Sequence, residues 1–114
     1  MGATGTSEVD FGAFPGASDT SVAVTGQTGI ASGSLVEAWI RPVASADHTA
    51  DEHWVENIKI VAGNIVAGTG FTIYALNNTP GLGAGSDAVD GRFGVTPTNS
   101  SRLYGKWEVN WAWV

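Results

Sequence analysis

The chain has 114 residues, enough for one domain with one modest core, and it holds no cysteine, which excludes disulfides, thiolate chemistry and cysteine-based zinc sites. Asp and Glu number 11 against 5 Lys and Arg, a formal charge of −6, and the few basic residues do not cluster. Phosphate recognition needs such clusters, so neither nucleic acid nor an anionic membrane is an expected partner.

The first predicted strands are residues 7–12 and 21–25, rich in β-branched and aromatic residues and separated by the turn signal Phe14-Pro15-Gly16. Thr25-Gly26 and Ser32-Gly33-Ser34 lead into a third strand over 35–43. A fourth is expected over 54–62, with Trp54, Ile58 and Ile60 on one face. Ala67-Gly68-Thr69-Gly70 then turns the chain into a fifth, 70–76, where Phe71, Ile73 and Ala75 share a face.

Residues 77–101 are rich in Gly, Ser, Thr and Asn and read as a long loop insertion, with 91–95 a candidate short strand. The final segment, 103–114, alternates with period 2. Leu103, Gly105, Trp107, Val109, Trp111 and Trp113 face one way, and Tyr104, Lys106, Glu108, Asn110 and Ala112 the other. No stretch sustains a helical period. The whole chain, 1–114, is therefore expected to be a single all-β domain, an antiparallel β-sandwich of about six to seven strands.

The densest polar cluster runs from Asp47 to His53. Helical zinc motifs need His-Glu-x-x-His or His-x-x-Glu-His. Here Glu52-His53 follows His48 one residue too late, and no helix is expected around it. The segment reads as a solvated loop, with Asp47 capping a turn and no tightly bound ion at His48, Asp51 and His53.

No serine sits in Gly-x-Ser-x-Gly, and both histidines fall in one segment, so no catalytic residues are assigned and the protein is expected not to be an enzyme. Gly81-Leu82-Gly83-Ala84-Gly85 opens no helix and is no phosphate cradle, and no cofactor is implied. The N-terminus has no basic start or apolar stretch and is expected not to be a secretion signal. Its match to the myristoylation pattern is short enough to arise by chance, and without a secretion signal the sequons at Asn77 and Asn99 mean little.

Five tryptophans remain: Trp39, Trp54, Trp107, Trp111 and Trp113. They are candidates for the core or for a subunit interface, and indole faces also stack on sugars. Only 14% of residues are charged, which also suits a surface partly covered by other subunits.

Two resemblances follow. Val9-Asp10-Phe11-Gly12-Ala13-Phe14-Pro15-Gly16, Ser34-Leu35-Val36-Glu37-Ala38-Trp39-Ile40-Arg41-Pro42, Asp51-Glu52-His53-Trp54-Val55-Glu56, the run from Gly63 to Tyr74, and Arg102-Leu103-Tyr104-Gly105-Lys106-Trp107 resemble small structural proteins of tailed bacteriophages. That resemblance implies a virion component made in the bacterial cytoplasm: a capsid decoration, neck or collar part, or tail appendage. Its partners would be its own copies and other virion proteins.

The order 58–62, Thr69-Gly70-Phe71, Ile73-Tyr74 and 104–111 is similar to H-type lectins. That family is a six-stranded antiparallel sandwich and a trimer binding surface glycans. Its sugar site would fall on Lys59, Asn77 and Asn78. Asn78 and Thr79 match the family's pattern, while Leu76 and Asn77 stand where it has Trp and His.

Overall fold

The computed structural model describes residues 2–78 and 102–114. Six strands and one short helix form among them: β1 (Ala3–Asp10), β2 (Asp19–Val24), β3 (Val36–Ile40), α1 (Ala50–Val55), β4 (Ile58–Val66), β5 (Gly70–Asn77) and β6 (Lys106–Trp113). They make two antiparallel three-stranded sheets, which we name sheet I (order β1-β6-β3) and sheet II (order β2-β5-β4). The expected all-β sandwich is what the chain forms. The candidate strand at 91–95, and the insertion beyond Asn78, lie outside the described residues.

Both central strands come from the strongest alternating stretches. In β6, Trp107, Val109, Trp111 and Trp113 are buried while Lys106, Glu108, Asn110 and Ala112 face outward. Opposite them, β5 turns Phe71, Ile73 and Ala75 inward. Val9, Val24, Ala38 and Leu103 complete the space between the sheets with Phe11 and Ile30. Each buried indole N–H has an acceptor: Trp107 the Tyr104 carbonyl, Trp111 the Ser7 hydroxyl and Trp113 the Gln27 amide oxygen. The Trp residues thus bury their rings without leaving a donor unmade. Gly5, opposite Trp111 in the register, makes room for that ring, because a Cβ there would sit 2.4 Å from it.

The β4–β5 hairpin closes where the turn signal lay, with Thr69 N–H donating to the Val66 carbonyl and Gly68 at φ 74°. Residues 54–57 differ from expectation. Trp54 belongs to α1 and is 77% exposed, so it shares no face with Ile58 and Ile60. The strand starts only at Ile58 because the Thr49–Glu52 pair captures the preceding residues as helix.

Candidate functional site

The segment read as a solvated loop is instead pinned against the end of β6. Thr49 caps α1: its hydroxyl accepts from Glu52 N–H, and Glu52 Oε1 accepts from Thr49 N–H at 2.6 Å. This reciprocal capping box satisfies two donors at once. The Thr-x-x-Glu spacing was the sequence signal for it.

Asp47, expected to cap a turn, accepts from the Lys106 N–H at 3.0 Å through Oδ1. That bond, the largest influence, and nearby His48 hold its carboxyl below the usual carboxylate range despite some desolvation.

His48 and His53 are both buried, 5% and 2% exposed, against the expectation of solvated groups. His53 Nδ1–H donates to the Thr49 carbonyl, while Nε2 accepts from Glu108 N–H, each at 2.8 Å. A carbonyl can only accept and an amide only donate, so the ring is held as one neutral tautomer. With both nitrogens engaged, it has no lone pair to offer a metal.

His48 stacks on Trp107 with centroids 3.8 Å apart, and its Nε2–H donates to the Tyr104 carbonyl at 2.6 Å. Its Nδ1 has no hydrogen-bond partner; Glu52 Oε1 lies 3.4 Å away. Glu52 is held below its usual range chiefly by the Thr49 N–H bond, with His48 contributing. Asp51 is exposed. Among the described residues no three His, Asp or Glu gather as a metal site.

Gly105 makes this docking possible. It sits at φ 78°, and a Cβ there would lie 2.2 Å from Asp47 Oδ2 and 2.8 Å from His48 Nε2. The alternating pattern placed Gly105 inward but did not say what it approaches.

These groups border a cleft of about 620 Å³ between α1 and the chain leading into β6. His48, Glu52 and Glu56, four residues apart in turn, line one wall. Phe14, Arg102 and Tyr104 line the other, and Trp107, on which His48 stacks, also borders it. Phe14 is 78% exposed and meets the Tyr104 ring edge to face at 5.5 Å. Arg102 is tethered, one Nη1 donating to the Gly16 carbonyl. Sequence reasoning missed this cleft because its residues come from segments far apart in the chain.

The residues predicted for sugar contact lie elsewhere, at one end of the β4–β5 pair. Lys59 is exposed on the outer face of sheet II, opposite Leu76. Asn77 pairs with Ile58 and is half-buried, and exposed Asn78 is hydrogen-bonded through its backbone to Asn57.

Of the tryptophans, three are core, Trp39 is 43% exposed on the outer face of sheet I, and Trp54 stands clear on α1. No helix among the described residues is long and apolar enough to cross a membrane. The fold and its sites define an antiparallel β-sandwich with a histidine-anchored cleft at one end. Against known proteins, the chain matches no family model, no curated protein and no solved structure.

Proposed function

We propose that the chain is a non-enzymatic structural protein that assembles as a symmetric homo-oligomer and forms part of a tailed-phage virion. One observation carries the assembly reading: the outer face of sheet II carries an apolar patch between polar and charged neighbours. Val61, Tyr74 and Leu76, on adjacent strands, are 44%, 43% and 42% exposed, and Ala23 extends the patch. Contiguous exposed apolar surface marks contact sites.

The margins favour a second copy as occupant. Asp19 on β2 and Lys59 on β4 flank Leu76 from opposite sides in the register. In an assembly that packs the patch of one copy against the next, Asp19 at the β2 margin and Lys59 at the β4 margin offer opposite charges that can pair across the contact. A trimer is the order implied by the lectin resemblance. The virion setting rests on the phage resemblance, and the position would be capsid decoration, neck or collar, or tail appendage.

Sedimentation at micromolar concentration is expected to show an oligomer, and imaging of particles is expected to locate the chain on them. A monomer only, or a particle without the chain, would refute the respective half.

A second reading, a glycan-binding host-adhesion module, rests on the lectin resemblance; Lys59, Asn77 and Asn78 lie near one end of the β4–β5 pair, with Lys59 on the outer face and Asn77 in the inward register. A hit on a broad glycan array, abolished by Asn77→Ala and Lys59→Ala with the oligomer unchanged, would favour it over the passive role.

A further inference from the structure

We propose that the cleft between α1 and residues 102–105 receives a cationic side chain, a lysine ammonium or an arginine guanidinium, from a partner protein. The proposal concerns a different surface from the homo-oligomer contact and stands or falls apart from it.

The first argument is the balance of unused hydrogen-bonding groups. Glu52 uses Oε1 in the capping box, and the Glu56 carboxylate takes no hydrogen bond within the described residues. Both line the same wall one helical turn apart. Among the described lining residues Arg102 is the one Lys or Arg, and it already spends part of its guanidinium on the Gly16 carbonyl. Two carboxylates thus stand against one tethered cation among these residues, on a chain that is itself at −6.

The second is His48. Its Nε2–H is committed to the Tyr104 carbonyl, so Nδ1 of the neutral ring is an acceptor. Among the described residues it is the one buried side-chain atom found without a hydrogen-bond partner, and it lies beside Glu52 at the cleft wall. With the ring neutral, this acceptor faces the Glu52 carboxylate oxygen at 3.4 Å, and no donor of the described residues stands between them. The Glu52 side chain is 47% exposed and has room to turn toward an incoming group. An ammonium carries three N–H donors and a guanidinium five, where an anion or an apolar group has none to give.

The third is the aromatic wall. Phe14 stands largely in solvent, held edge to face on Tyr104, and the Tyr104 ring tilts over His48 at 4.8 Å. Aromatic faces beside carboxylates suit a cation on an aliphatic stem: the stem packs on the rings and the charge meets the acids. A hydroxyl-rich sugar would use the rings but gain little from two carboxylates.

The test uses the full chain and four small probes followed by NMR: N-acetyl-lysine methylamide, its uncharged isostere N-acetyl-norleucine methylamide, N-acetyl-arginine methylamide, and methyl glucoside. The lysine probe is expected to shift the Trp107 indole N–H and the Tyr104 and Phe14 ring signals saturably. N-acetyl-arginine methylamide should do the same. The norleucine and sugar probes should not. Raising salt from about 0.01 to about 1 M shrinks the screening length from about 30 to about 3 Å and should weaken the binding.

Glu56→Gln lies outside the capping box and keeps the fold. It should weaken the lysine probe by about threefold, the scale of one exposed ion pair. Glu52→Gln should act in the same direction, with thermal melts separating any loss of helix. Equal shifts with the norleucine probe, saturation by the sugar instead, an unchanged Glu56→Gln, or no saturable shift with either cation would overturn the proposal.

Discussion

The two sheets share one core, yet their outer faces are opposites. On sheet I the outward rows read Thr4–Ala112–Glu37, Thr6–Asn110–Trp39 and Glu8–Glu108, the last continuing to Arg41. Apart from Trp39 and Ala112 this is hydrogen-bonding surface that water satisfies. On sheet II the rows read Asp19–Leu76–Lys59, Ser21–Tyr74–Val61 and Ala23–Thr72–Gly63. There the centre is apolar and the charges stand at the margins. Inward residues fix the sandwich, and outward residues decide what it meets. The difference is why the proposed contact between copies is placed on sheet II and not on sheet I.

The largest expected effect checks that the core, and not the outer face of sheet I, holds the fold. Trp107→Ala empties a buried indole stacked on His48 and should cost about 3–5 kcal/mol. Trp39→Ala, on the outer face of sheet I, should cost under about 1 kcal/mol. Denaturant melts of both variants decide it. Similar losses would mean that Trp39 belongs to a buried contact and that sheet I is not the solvent face.

Association comes next. Val61→Asp or Tyr74→Asp places a charge in the centre of the apolar patch. If that patch is an interface, the desolvated charge should weaken assembly by about 3 kcal/mol, roughly two orders of magnitude in Kd. Thr6→Asp makes the same change on the outer face of sheet I and should leave sedimentation unchanged. Reversed outcomes would exchange the roles of the two faces.

The third effect bears on what could be read from sequence. β6 was legible to its individual residues because alternation is a local pattern and Trp, Val and Leu report burial directly. The β4–β5 hairpin was legible because glycine marks its turn. The segment 47–57 was not. Its polar composition suggests solvent, and the burial of His48 and His53 comes from partners some 55 residues away: Tyr104, Trp107 and Glu108. Only the Thr49–Glu52 spacing announced the helix. The outer-face contrast was half legible: Tyr74 and Leu76 could be seen to be apolar, but not which strands flank them.

His53→Ala tests the missed anchor. It leaves the Glu108 N–H without a partner, takes from the Thr49 carbonyl one of its two donors and opens a small void, so a loss of about 2 kcal/mol is expected. His53→Gln, which can donate and accept, should recover part of it. An effect of Ala within about 0.5 kcal/mol, the level of a plain surface change, would show that the anchor contributes nothing to stability.

The smallest effect is a pH dependence confined to sheet I. Glu8 and Glu108 face each other across β1 and β6. Burial, the hydrogen bond with Glu8 and the Glu8 charge, in that order, push Glu108 from 4.5 up to about 7, with Arg41 opposing them. In the folded chain Glu108 therefore keeps its proton to higher pH than in the unfolded one. The folded state binds more protons between about 4.5 and 7, so stability must fall as pH rises through that window and level off above it. Below 4.5 the contribution is fully present. The pair lies on a solvent-facing surface where screening is strong, so the change should be no more than about 1 kcal/mol. Glu108→Gln keeps a neutral hydrogen-bonding group and should remove this decline, and Glu8→Gln should reduce it by removing the like charge. On sheet II, Lys59→Gln should leave the same pH profile unchanged. Denaturant midpoints measured between pH 4.5 and 8 give the comparison. A slope that survives Glu108→Gln would place the titrating group elsewhere and remove the charged pair as a distinguishing feature of the sheet I face.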